Sequence, residues 1–179
     1  IVDVRTKKET HLTPHTDASE FGDVHFLADG IVLTTNDKRE FAGLAYMRKK
    51  NATGDDWTDT NRETRIIDDQ KWDVGGVTLT NNNSMMAYTV NRDGHSELYL
   101  RKIETDGKAE TVKLPAQGVV GGLTFNKDQS KLAFSFSSAT QNGDIWVYGL
   151  KSKTLSQITH SDRAGISQST FETPKLIKY

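Results

Sequence analysis

The sequence contains no cysteine, which excludes a disulfide framework, a cysteine-based zinc site and a thiol nucleophile. It has no long hydrophobic run either: no stretch approaches the ~18 apolar residues of a membrane-spanning helix. Neither sign of charge dominates, since 23 lysines and arginines face 24 aspartates and glutamates, giving a net charge of −1. This balance leaves no electrostatic footprint for nucleic acid or an anionic membrane. We therefore expect a soluble protein, cytoplasmic or periplasmic, that binds neither.

Motifs of cofactor binding and catalysis are missing as well. No GxxxxGKS/T or GxGxxG pattern joins a strand to a helix, so no cofactor is predicted. The five histidines form no HxxxH or HExxH pair, so no metal site is predicted. The segment 165–169 (GISQS) resembles a nucleophile elbow but lacks the second glycine and the strand–turn–helix context. The sequence thus offers no catalytic residue.

Short apolar runs separated by turn residues fill the chain. Between Gly121 and Asp162 there are four such runs, LTF, KLAFSF, DIWVYGL and SQIT, divided by gaps rich in Asn, Asp, Gly and Ser. Runs of this length and composition are typical of strands. Because the gaps are short, the four strands are predicted to pair as an up-and-down antiparallel sheet.

This four-strand unit repeats along the chain. Runs matching the third strand begin at Gly43, Glu97 and Asp144, 54 and 47 residues apart. Repeats of about 40–50 residues with four strands each are the signature of β-propeller blades. The prediction is an all-β propeller fragment of about three and a half blades within 1–165. The segment 1–15 supplies the outer two strands of a half blade, and full blades lie at about 24–69, 74–115 and 119–161.

The first full blade carries an additional loop between its third and fourth strands. This loop, Lys50–Glu63, is rich in acidic residues and contains Trp57. It lacks the glycine and the spacing of an EF-hand. Two interpretations remain open: a solvated loop with Trp57 folded back on the blade, or a weak cation loop. The acidic residues in question are Asp55, Asp56, Asp59 and Glu63.

Several stretches resemble the later propeller blades of the prolyl oligopeptidase family of serine peptidases, in its bacterial dipeptidyl-aminopeptidase and acylaminoacyl-peptidase-like branch. They are LTTNDKREFAGLAYM from Leu33, WDVGGVTLT from Trp72, MMAYTVNRDGHSELYL from Met85, the long stretch from Leu114 to Thr159, and FETPKLIKY from Phe171. The resemblance implies that 166–179 is a connector toward an α/β-hydrolase domain, which would hold the catalytic residues beyond Tyr179. The unusual start, Ile1 in place of Met, also suggests a processed or excised fragment.

The resemblance implies a non-catalytic segment that gates peptide access and packs on a catalytic domain in cis. The alternative is a TolB-like or WD-repeat-like propeller that binds a protein partner, with no peptidase attached. In either case an open stack of blades exposes apolar faces and strand edges, so we expect the chain to self-associate.

Strand order indicates which loops would face a following domain. The chain leaves each blade after strand four, on the side that also carries the strand two to three connections. We call this side of each sheet its exit edge. Polar residues expected in exit-edge loops are the candidate interface residues, although each is also compatible with an ordinary polar turn. They are Asp37, Arg39, Glu40, Arg92, Asp93 and Asn142.

Overall fold

The computed structural model describes residues 1–50, 57, 61–103 and 107–177. This part of the chain contains no α-helix and forms three four-stranded antiparallel sheets, each in up-and-down order. The first sheet consists of β1 (Phe21–Phe26), β2 (Gly30–Thr35), β3 (Gly43–Lys49) and β4 (Arg62–Asp68). The second consists of β5 (Val74–Leu79), β6 (Met85–Arg92), β7 (His95–Lys102) and β8 (Glu110–Val112). The third consists of β9 (Val119–Phe125), β10 (Lys131–Ser138), β11 (Gln141–Gly149) and β12 (Leu155–Gln157). The prediction of an all-β chain of four-stranded antiparallel blades is confirmed.

The middle strands of each sheet are the most buried. All six residues of β2 are buried, as are the first five of β3. This pattern fits their sequences, which are apolar or small at nearly every position, because a strand covered on both faces has no solvent side to fill with charge. By contrast, β10 alternates, with Leu132, Phe134 and Phe136 buried and Lys131 and Ser135 exposed.

The chain divides into two compact units, 1–71 and 72–179. In the first unit, Leu12 and Trp57 pack with the apolar side chains of β2 and β3. Trp57 is only 9% exposed, which confirms that it folds back on the blade. Asp55, Asp56 and Asp59 of the suggested cation loop lie outside the described residues. In the second unit, the two sheets share one core in which Leu98 and Leu100 pack with Leu132 and Phe134.

The first fifteen residues form a short antiparallel pairing. Val2 bridges Glu9, and the Asp3 N–H donates to the Lys8 carbonyl at 2.9 Å. Such a pairing is compatible with two outer strands of a blade. The half blade itself and the blade boundaries given above stay predictions.

Every first strand contains a β-bulge with one residue in the left-handed region. The register shifts at the bulge in β1, β5 and β9, and the left-handed residues are Asp23 (φ 46°), Gly76 (φ 61°) and Gly122 (φ 61°). A bulge bends the strand and increases its twist. Its recurrence at equivalent positions shows that the three sheets repeat one backbone design.

The strand two to three turns differ from prediction in the third sheet. In the second sheet, Asp93 (φ 48°) and Gly94 (φ 79°) form a two-residue turn. Arg92, which was also expected in this loop, is the last residue of β6 and pairs with His95, so its placement in a loop was wrong. In the third, the turn lies at 139–140, so the Gln141–Gly143 stretch belongs to β11 and not to the turn. Here the Ser138 hydroxyl accepts the Thr140 N–H at 3.2 Å, which satisfies a tight turn without left-handed residues. The placement of Asn142 in a loop was therefore wrong.

Candidate functional site: the exit edge of the blades

The exit edge of the first sheet is held by an ion pair. The guanidinium of Arg39, in the loop between β2 and β3, pairs with the Asp69 carboxylate just after β4. Its Nε also donates to the Phe41 carbonyl at 3.3 Å. The hydrogen bond between the pair raises the pKa of Arg39 and lowers the pKa of Asp69. The structure thus joins the two kinds of loop that strand order assigns to this edge.

The other two candidates in this loop differ in their surroundings. The Asp37 N–H donates to the Thr35 hydroxyl at 3.0 Å, and Asp37 is partly buried. Glu40 is exposed. Lys38 between them takes a φ of 56°, a left-handed conformation that reverses the chain direction. Glu40 is therefore the member of this set that presents its charge most openly.

Arg92 and Asp93 lie at the exit edge of the second sheet. The Arg92 Nε is 2.8 Å from the Glu97 carboxylate, whose other oxygen accepts the Tyr99 hydroxyl at 2.6 Å. Burial alone would raise the pKa of Glu97, but the hydrogen bonds from Tyr99 and Arg92 outweigh it and lower the pKa. The Tyr99 ring in turn stacks on the buried Tyr88, with centroids 5.5 Å apart. Arg92 is thus part of a packed polar network, whereas Asp93 is exposed in the turn that follows.

The exit edge of the third sheet is organised by Asp144, which sequence reasoning did not select. Asp144 is 6% exposed, and its carboxylate accepts hydrogen bonds from Gln157, Thr159 and Ser161. The hydrogen bond from the Thr159 hydroxyl contributes most to lowering the pKa of Asp144. One signal was available: the repeat register aligns Asp144 with Glu97, and both prove to be hydrogen-bonded acids at the start of a third strand.

Asn142 lies next to this cluster, in β11. Its Nδ2 donates to the Asp162 carbonyl at 3.2 Å. It therefore contacts the segment that follows β12 instead of projecting from a turn. Asp144 and Asn142 together bind the chain at the point where it leaves the last sheet.

The second unit has a groove of about 430 Å³ at this edge. One wall is the Asp93–His95 turn, and the others are 117–119, the end of β10 and the segment Pro174–Leu176. The glycine at 118 lets the chain entering β9 approach the end of β10 closely, since a Cβ there would lie 2.2 Å from the Ser137 carbonyl oxygen. The groove thus brings together the strand two to three turns, the entry of β9 and the chain that follows the last blade.

Among the described residues, no three His, Asp or Glu side chains are grouped as metal ligands would be. Within the same ranges, no helix has the length and apolar character needed to cross a membrane. What the edges present are ion pairs, turn carboxylates and a groove.

Comparison with known proteins places the fold. No family model matches the sequence, and no curated protein matches it. Among solved structures, prolyl oligopeptidase B from Galerina marginata without ligand is similar, with a TM-score of 0.68 and 13% identity over 88% of this chain and 22% of that chain. The same enzyme with a 25mer macrocyclization substrate gives a TM-score of 0.69 at 13% identity, over 87% and 21%. A structure from an analysis of two prolyl endopeptidases gives 0.63 at 14%, over 80% and 20%.

These similarities confirm the propeller fold suggested by the sequence. At such low identity they show the fold alone, four-stranded propeller blades like those of these prolyl oligopeptidases. The chain spans about one fifth of the length of these enzymes.

Proposed function

We propose that this chain is a non-catalytic propeller segment of a serine peptidase, and that its exit edges pack on an α/β-hydrolase domain in cis. The observation that carries the proposal is the groove of the second unit. There the segment after the last blade runs beside the blade turns, at Pro174–Leu176. A domain that followed this segment would meet Asp93 and the neighbouring turn first.

The second part of the proposal is that the propeller filters substrates, admitting peptides and excluding folded proteins. The similar Galerina marginata enzyme has been solved with 25mer and 35mer peptide substrates, so a propeller of this fold is compatible with peptides of that size. In this chain the filter would consist of polar turns and not of reactive groups, since no catalytic set is found in the sequence. The proposal thus assigns recognition to this segment and chemistry to the domain that follows.

The test is peptide kinetics of the full-length parent protein with Arg39→Ala, Glu40→Ala or Asp93→Ala. Lys127→Ala, in the exposed turn between β9 and β10 at the opposite edge, is the matched control. We expect at least one exit-edge variant to change KM or the preference for peptide length, and the control to change neither. Unchanged peptide kinetics in all three variants would contradict the interface proposal.

Reading the parent gene past Tyr179 separates this proposal from the alternative of a partner-binding module. A serine peptidase with an α/β-hydrolase domain would show a GxSxG serine followed by Asp and His within about 250 residues. If the reading frame ends without them, the chain is a TolB-like or WD-repeat-like binding propeller, and the peptidase proposal fails.

We also propose that the isolated chain self-associates. Val24 and Phe26 of β1 are 54% and 62% exposed, and Ile145 of β11 is 42% exposed. Exposed apolar side chains on strands favour association with a second copy.

A further inference from the structure

After the end of β12 the chain stays in contact with the last blade. The Ile158 N–H still donates to the Ile145 carbonyl at 2.8 Å, after the last ladder pair of β12. The chain then crosses to the turn between β10 and β11. Two side-chain amides, one from the blade and one from the returning segment, make the contact.

The first contact comes from the blade. Asn142 in β11 donates its Nδ2–H to the backbone carbonyl of Asp162 at 3.2 Å. Asp162 in turn accepts the Ala164 N–H on its own carboxylate at 2.9 Å. A turn follows, with Ala164 at φ 50° and Gly165 at φ 81°, closed by a hydrogen bond from the Ile166 N–H to the Arg163 carbonyl at 2.9 Å.

The second contact comes from the returning segment. Gln168 begins a 3₁₀ turn (Gln168–Thr170), and its Nε2–H donates to the Thr140 carbonyl at 2.8 Å. The Phe171 N–H closes the turn on the Gln168 carbonyl at 3.3 Å. The guanidinium of Arg163 lies 5.5 Å from the centre of the Phe171 ring, within range of a cation–π interaction. The segment is thus bound to the blade through Asp162 and Gln168, and Arg163 near its start contacts Phe171 at its end.

We propose that Asn142 and Gln168 are positioning residues that clamp the segment 162–171 onto the last blade. The clamp makes this segment part of the propeller. A domain that followed this segment would then turn about residues beyond Phe171, and the end of β12 is not a hinge. This inference concerns contacts within the chain itself, so it stands whether or not the parent is a peptidase.

Isosteric substitutions remove the two donors without changing side-chain volume. Asn142→Asp and Gln168→Glu replace each amide with a carboxylate, which has no N–H to give to a carbonyl. Asn81→Asp is the control, since Asn81 is exposed in the turn between β5 and β6 and undergoes the same change of charge as either substitution alone. The protein used is the chain as it stands, in wild-type, double-variant and control forms.

The measurement is amide hydrogen exchange at Ala164, Ile166, Thr170 and Phe171, the amides hydrogen-bonded within the clamped segment. Since each net hydrogen bond contributes about 1 kcal/mol and the double variant loses two of them, we expect these amides to exchange about thirtyfold faster in the double variant. Amides of β10 and β11 should keep their rates, as should all amides of the control. Wild-type exchange of the four amides at unprotected rates, or unchanged rates in the double variant, would overturn the proposal.

Trypsin gives an independent readout. Arg163 lies inside the clamped segment and Lys175 outside it. We expect wild-type protein to be cut after Lys175 well before Arg163, and the double variant to be cut at both sites at similar rates. Equal cutting in the wild type would contradict the clamp.

Discussion

The carboxylate of Asp144 accepts two hydrogen bonds from Ser161, from its N–H at 2.9 Å and from its hydroxyl at 3.0 Å. It also accepts the Thr159 hydroxyl at 2.7 Å. One acid at the start of β11 therefore holds the chain that follows β12. Together these hydrogen bonds favour the ionised form and keep the pKa of Asp144 below its ordinary value, with Thr159 contributing most.

We predict that Asp144 contributes a pH-dependent part of the stability. An unfolded aspartate titrates near pH ~4. Because the folded pKa is lower, the contribution is complete above about pH 4 and disappears as pH falls through the folded pKa. Asp144→Asn should therefore lower the urea midpoint at neutral pH, and the gap to the wild type should narrow below about pH 4.

The control for this prediction is Glu172→Gln, which removes an exposed acid of the tail. It should follow the wild-type midpoint at both ends of the pH range. A gap between Asp144→Asn and the wild type that stays constant from neutral to acid pH would show that the carboxylate charge is not involved.

The left-handed bulge residues favour glycine, so replacing glycine with alanine at these positions should lower stability. Gly122 has a φ of 61°, and a Cβ there would meet nothing within 4 Å, so Gly122→Ala should cost about 1 kcal/mol from backbone strain alone. Gly76→Ala should cost more, because its Cβ would lie 3.2 Å from the Thr89 hydroxyl, which donates to the Gly75 carbonyl. Urea unfolding of the two variants measures the difference.

Asp23 is the natural counterpart, since it occupies the same bulge position at φ 46°. Asp23→Gly relieves the left-handed strain, so it should reduce stability less than either alanine variant. A loss of stability in Asp23→Gly as large as in Gly122→Ala would mean that backbone conformation does not govern this position.

The repeat pattern in the sequence was sufficient to predict the blades but not all of their turns. Asp93 was placed correctly in a turn between strands two and three, because Asp and the following Gly94 tolerate positive φ and the strands on either side are apolar. The same reasoning failed at Asn142. This residue lies in β11, because the chain turns already at 139–140, where the Ser138 hydroxyl stabilises a tight turn. A favourable turn dipeptide shows where a turn is permitted, whereas strand register decides where it forms.

The polar contacts between distant segments were beyond sequence reasoning. Asp144 and Ser161 come together only because β12 pairs with β11, from Trp146–Gln157 to Tyr148–Leu155. Likewise, the pairing of Arg39 with Asp69 depends on the ends of β2 and β4 lying at one edge of the sheet. The sequence shows where acidic and basic residues occur. Which of them pair depends on the register of strand pairing, and the apolar pattern predicts that register only to within a residue or two.

In the turn between β9 and β10, replacing Gln129 with glycine should raise the stability of the protein. Gln129 is left-handed at φ 61°, and its side-chain Oε1 is buried without a hydrogen-bond partner. Gln129→Gly removes both penalties, so we expect about 0.5–1 kcal/mol of added stability in urea unfolding. Asn83→Gly at the equivalent position (φ 55°) should gain less, since asparagine tolerates this conformation better. Equal gains in stability from the two variants would show that the buried Oε1 of Gln129 carries no penalty of its own.

The exposed apolar residues on strands predict that the isolated chain associates. Light scattering should give a molar mass above the 20.0 kDa of one copy, rising with concentration. Val24→Ser and Ile145→Ser, on β1 and β11, should lower that mass because they remove apolar area from the sheets. Ile166→Ser is the matched control: Ile166 is 57% exposed, close to the 54% of Val24, but it lies in the segment after the last sheet. A monomeric molar mass at high concentration would refute self-association. An equal decrease of the mass in the control would show that the exposed side chains of the sheets are not the cause.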